Sequence, residues 1–292
     1  YQRCPHLNHL NKLLETSAFK FFGFYPLTFN YTQLKIVVLS GGGKKWCFDR
    51  LASDMMIFCE WLVEGVSHGI TVDSTEGGLF TNFEKTLLSN NFGVIRFDFR
   101  CHGESNGNPK DLSLYGEYLD LMSVLSYANK KWRLPFILLA TSFSCSAVAR
   151  NISEGKVPYR GVVLWNPVVN YQQTFLKPNT PWVESILETR KDLNLPQWAY
   201  ARIPGTNYFI TKRLAKEFET DKTHIILENL KHPAIGFHGN KDTKVPYRFL
   251  EEIARRNNNI EFHLLIGEGH GFKGKRDYVI GKTISWIKRV VE

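Results

Sequence analysis

The chain has 292 residues, 43% of them hydrophobic, 14% aromatic and 22% charged, which excludes a disordered or low-complexity polymer and is enough to bury a large core. Its formal net charge is +9 and its pI about 9.2. The cations stand in ones and twos (Lys44, Lys45, Lys130, Lys131, Arg255, Arg256, Lys273, Lys275, Arg276), which reads as a solvated surface and excludes a nucleic-acid-binding stripe.

Residues 1 to 24 show part-helical spacing with no clear assignment, and a start on Tyr1 is consistent with a removed leader or a truncation. "YPLTFNY" and "LKIVVLS" then read as strands, and "IFCEWLVEGVSHG" as a strand running into a loop. "NFEKTLLSN" has helical spacing, and "FGVIRFDFR" is a β-rich run. "LSLYGEYLDLMSVLSYANKKW" places apolar residues three and four apart, as an amphipathic helix does. There follow a strand "PFILLA", a helix "SCSAVARNI" and a strand "RGVVLWNPVV". Beyond residue 231 the strands "PAIGFHGN" and "IEFHLLIGEG" flank the helical "YRFLEEIARRN", and the chain closes on the amphipathic "RDYVIGKTISWIKRVVE". Strand and helix in alternation imply an α/β fold with a mostly parallel central sheet and helices on both faces, joined by right-handed crossovers.

Residues 170 to 231 break that rhythm with Pro178, Pro181, Pro196 and Pro204 among Trp182, Trp198, Tyr200, Tyr208 and Phe209. The composition predicts an irregular helical insertion, a cap or lid within one domain spanning residues 1 to 292. Insertions at the C-terminal ends of parallel strands overhang the ligand crevice. Its aromatics, Phe175, Trp182, Trp198 and Tyr208 among them, are expected in part to line an apolar pocket.

Ser142 directly follows "PFILLA" and opens a helix. A serine there is an ordinary helix cap, or it is a nucleophile on a sharp strand-to-helix turn, which needs small neighbours two residues away on either side. Ala140 and Ser144 supply them, in place of the usual glycines. A serine nucleophile needs a base, and the base an acid. Asp242 in "HGNKD" and His270 in "GEGHGF" follow the next two predicted strands, in the order Ser, Asp, His.

These stretches, with "RFDFRCHGES" at 96 to 105, resemble the α/β-hydrolase family over about residues 60 to 290. The resemblance implies the α/β-hydrolase fold, Ser142 as nucleophile, Asp242 as acid and His270 as base. Cys101 stands where the family commonly has Gly. The oxyanion hole is expected from the amide of Phe143 and a second amide in "SHGIT" or "SGGGKK"; the former is better spaced and gives Ile70, with Gly69 against the substrate. His102 and His238 read as hydrogen-bonding or packing residues, and Cys145 as a packed thiol.

Five cysteines, an odd number without CxxC spacing or a histidine cluster, give neither a disulfide framework nor a metal site, and point to a reducing, cytoplasmic location. No cofactor is implied, and no apolar run reaches the ~20 residues of a membrane span. The expected chemistry is acyl transfer from a small-molecule carboxylic ester or thioester. "VVLWNPVVNYQQTFL" and the A-x-S-x-S turn are similar to the acyl carrier protein thioesterases (acyltransferases) of bacterial luminescence operons and to capped short-chain esterases. That similarity adds acyl carrier protein or coenzyme A as partners, and an acyltransferase as the alternative to a hydrolase. A catalytically silent binding domain is the alternative of another class.

Overall fold

The computed structural model describes residues 36–39, 61–67, 69–71, 76–103, 105–133, 136–155 and 157–291. The expected strand at 25 to 31, the glycine run at 40 to 45 and the segment 1 to 24 lie outside them.

The elements run β1 (Ile36–Leu39), β2 (Trp61–Ser67), α1 (Leu79–Ser89), β3 (Phe92–Phe97), α2 (Leu114–Trp132), β4 (Phe136–Thr141), α3 (Cys145–Glu154) and β5 (Tyr159–Trp165). After residues 166–233 they continue with β8 (Ala234–Gly239), α8 (Arg248–Arg256), β9 (Ile260–Leu265) and α9 (Arg276–Val291). The sheet order among the described residues is β1-β3-β2-β4-β5-β8-β9, with β1 antiparallel to β3 and every other pair parallel.

Period-two alternation along the central strands divides the core in two. Leu138 and Ala140 of β4, with Val162 and Leu164 of β5, face α2, α3 and α8 through Leu121, Leu125, Val148 and Leu250. Ile137 and Leu139, with Val163 and Trp165, face α1 and α9 through Phe80, Phe83, Val279 and Ile287. β4 is buried along its whole length, so the residue that follows it sits at the middle of the sheet's C-terminal edge. Ser113 caps α2, its hydroxyl accepting from Gly116 N at 3.0 Å, where the sequence pattern places the helix start.

Residues 166–233 form α4 (Tyr171–Leu176), α5 (Pro181–Glu188), the antiparallel pair β6 (Ala199–Arg202) and β7 (Phe209–Thr211), α6 (Lys212–Thr220) and α7 (Thr223–Glu228). The segment that the sequence sets apart thus holds short helices and a hairpin that proline and aromatic content conceals. Gly205, at φ 73°, turns it, and Ile203 N donates to Tyr208 O at 3.0 Å to close it. Among the described residues no helix is long and apolar enough to cross a membrane.

Candidate active site

At the end of β4 the backbone turns sharply, and Ser142 takes φ 52°. A side chain in this left-handed region costs about 1 kcal/mol or more, so the surroundings must hold it there. Two features do so. The Ser144 hydroxyl accepts from Thr141 N at 3.0 Å and donates to Thr141 O at 2.9 Å, so the serine in place of the second glycine ties the turn. Ser142 O accepts from Val168 N at 2.8 Å, fixing the turn to the chain beyond β5. Ser142 is 6% exposed and Phe143 fully buried.

The Phe143 ring anchors residues 171–218 edge-on, 5.5 Å from Tyr171, 5.6 Å from Phe175 and 5.9 Å from Phe218. The Tyr171 hydroxyl accepts from Ser146 N at 2.9 Å and donates to Phe143 O, bridging the first turn of α3. Ile70 is buried in the same cluster as Phe143, and Gly69 O accepts from Thr71 N at 3.2 Å. Both predicted amide donors thus belong to chain that packs around the turn.

Asp242 lies just past β8. Its Oδ1 accepts from Lys244 N at 2.8 Å and Val245 N at 3.0 Å. Its Oδ2 accepts from His270 Nδ1 at 2.7 Å and from His238 Nε2 at 3.2 Å. Burial alone would raise its pKa, but the His270 charge and the two imidazole hydrogen bonds outweigh it and hold the carboxylate well below its usual range. The loops of Asp242 and His270 touch because Gly239 has no β-carbon: one there would overlap the Glu268 carbonyl, which accepts from Lys241 N at 2.8 Å. β4, β5, β8 and β9 are successive neighbours, so Ser142, Asp242 and His270 share one edge of the sheet. Asp242 and His270 are hydrogen-bonded to each other.

The other residues singled out in the sequence divide. Tyr208 donates to Cys101 O at 2.7 Å and stacks on His102 with centroids 5.0 Å apart. Trp182 packs edge-on against Phe175 with Lys244 Nζ 5.9 Å from its ring. Trp198 is 43% exposed and meets Phe209. Phe175, 1% exposed, is occupied in the aromatic cluster and has little area left for a pocket wall. His102 donates Nδ1–H to Arg100 O at 2.9 Å. Burial pushes the Cys145 thiol up, and the Cys101 thiol up to about 12, so neither is a ready nucleophile. Among the described residues no group of three or more His, Cys, Asp or Glu is arranged to hold a metal ion. Sequence reasoning placed His238 as packing and missed its bond to Asp242; the four-residue spacing in "HGNKD" was the available signal.

The family model of Hydrolase_4, described as serine aminopeptidase, S33, matches residues 66–270. The solved structure of Est1E from Butyrivibrio proteoclasticus with ferulic acid bound superposes at a TM-score of 0.69 with 16% identity, over 88% of this chain and 95% of that one. The Pyrococcus furiosus esterase Pf2001 gives 0.58 at 19% identity, over 80% and 85%. A monoacylglycerol lipase from Paleococcus ferrophilus gives 0.56 at 15%, over 78% and 93%. At these identities the structures establish the fold. No curated protein matches the chain.

Proposed function

Because this chain belongs to the Hydrolase_4 family and is a hydrolase of the α/β-hydrolase fold, we propose that it cleaves carboxylic esters or thioesters through an acyl-enzyme on Ser142. The observation that carries this reading is a serine on a positive-φ turn at the strand edge that also bears the Asp242–His270 pair. His270, its Nδ1–H held by Asp242, takes the Ser142 proton through Nε2 as the hydroxyl attacks the carbonyl. The amides of Phe143 and Ile70 stabilise the tetrahedral oxyanion. The protonated His270 then delivers its proton to the leaving oxygen or sulfur, and water repeats the sequence on the acyl-enzyme. Residues 170–231 act as a cap within a single domain, with Gly69, Trp182, Trp198 and Tyr208 facing substrate. The similar structures, among them the esterase Pf2001 and a monoacylglycerol lipase, support ester chemistry. The same reading places the protein in a reducing, cytoplasmic setting, on its odd number of cysteines without CxxC spacing.

Ser142→Ala should lower turnover by about 10⁴ to 10⁶ and abolish fluorophosphonate labelling, with the circular dichroism unchanged. Near-native turnover in the variant overturns the nucleophile; a wild type that neither labels nor turns over points to a silent binding domain.

A thioester with an acidic carrier is the second reading. Lys241, Lys244, Lys273 and Lys275 lie on the loops that carry Asp242 and His270, and such cations suit coenzyme A or acyl carrier protein and transfer to a non-water acceptor. A panel of p-nitrophenyl esters and acyl-coenzyme A thioesters of rising chain length, at low and high salt, separates the two. The carrier reading expects a salt-sensitive preference for the thioester; equal salt dependence for both series overturns it. Within either series, a rise to an intermediate length supports an apolar pocket worth about 0.8 kcal/mol per methylene, and a fall from acetate onward removes it.

A further inference from the structure

Two imidazoles share one oxygen of Asp242. His238, on β8, has a side chain that is 0% exposed, and its Nε2 lies 3.2 Å from Asp242 Oδ2 and 3.1 Å from Val245 O. Both neighbours are acceptors, so Nε2 must carry a hydrogen. Nδ1 is buried with no hydrogen-bond partner; a proton there would be an unsatisfied donor on a buried cation, so Nδ1 is bare and the ring neutral. Asp242 therefore receives four donors, two amides on Oδ1 and two imidazoles on Oδ2.

We propose that His238 is a positioning residue: as a neutral Nε2–H donor it holds Asp242 Oδ2 in line with His270 Nδ1 and draws on the charge of the oxygen that His270 uses. The inference rests on the reading that Asp242 and His270 serve Ser142. A donor to the carboxylate disperses the charge that would otherwise stabilise a protonated His270. Removing it should leave His270 more basic and move the onset of activity to higher pH.

Other ionisable groups surround the pair. Lys241, Lys244 and Tyr247 lie on the loop after β8, with the Tyr247 ring 6.5 Å from that of His238. Glu268 and Lys273 lie on the loop after β9. Arg276 of α9 donates Nε–H to Gly271 O at 3.1 Å, and Lys244 covers Trp182 of α5. All are retained when His238 alone is changed, so the comparison between variants isolates its effect.

The test is the pH profile of kcat/KM for wild type, His238→Gln and His238→Leu, with ¹⁵N NMR of the wild-type imidazoles. Glutamine returns an N–H near the Nε2 position and should keep the wild-type midpoint. Leucine should raise the midpoint by about 0.5 to 1 pH unit and lower the plateau about tenfold. A purely structural role predicts a lower plateau with the midpoint unmoved, and that result in a folded leucine variant overturns the proposal. At the pH of the activity plateau the ¹⁵N shifts should show His238 as the Nε2–H tautomer; the Nδ1–H tautomer also overturns the proposal, and this reading decides the matter if the leucine variant does not fold. Fluorophosphonate labelling of Ser142 in wild type separates a failure here from a failure of the nucleophile assignment.

Discussion

At Ser142 the strained φ of 52° is confined to one residue, and Ser144, Val168 and Tyr171 hold the turn by hydrogen bonds around it. Glu117 presents the opposite case, a buried group outside the proposed chemistry. It is 1% exposed with no partner for Oε2, and burial, then the neighbouring Asp120 and Glu217 charges, raise its pKa well above 4.5 against the pull of Arg100. Because the native state holds this proton more tightly, the stabilising contribution is complete below the unfolded value of about 4.5 and is lost as pH rises toward the native one. Each pH unit across that window removes about 1.4 kcal/mol. Glu117→Gln, which cannot ionise, should match wild type at pH 4 and exceed it in stability at pH 7 to 8, where wild type must lose this buried proton. Urea midpoints of both proteins over that range check this, and parallel pH dependence would show that Glu117 ionises as readily in the native state as in the unfolded chain.

Among the elements, legibility followed periodicity. β4 and β5 were readable because both faces are buried, giving continuous apolar runs, and α2 because its apolar stripe recurs at helical spacing. The motif residues at the strand ends were readable as types: Ser142 on its turn, with Asp242 and His270 in the following loops, and the last two are in fact bonded. The hairpin β6–β7 was not, because its strands have four and three residues, too short for alternation to stand above a proline- and aromatic-rich background. Tyr171 and His238 escaped for a different reason. Tyr171 works through a hydrogen bond to Ser146, 25 positions away, which only folding brings near; His238 stands four residues from Asp242, but their bond depends on a carboxylate aimed by the amides of Lys244 and Val245. Residue type alone gives no sign of such a bond.

For the molecule as a whole, the consequence is that residues 170–231 and the turn at Ser142 share a core. Phe143, whose amide is the proposed oxyanion donor, contributes its ring to the cluster of Tyr171, Phe175 and Phe218, with Phe175 and Phe218 stacked at 4.8 Å. Loosening that cluster should disturb the turn before it disturbs the sheet, whose two cores lie on β4 and β5 away from it. Phe218→Ala removes a ring that is 1% exposed and should cost about 3 to 5 kcal/mol locally, since a buried phenylalanine loses both its transfer energy and its packing. The lost stability falls on the smaller cooperative unit, so esterase activity should disappear on heating several degrees below the loss of far-ultraviolet circular dichroism in the variant, while the two coincide in wild type. If activity and ellipticity fall together in Phe218→Ala, residues 170–231 unfold only with the sheet, and the turn at Ser142 does not depend separately on how they are docked.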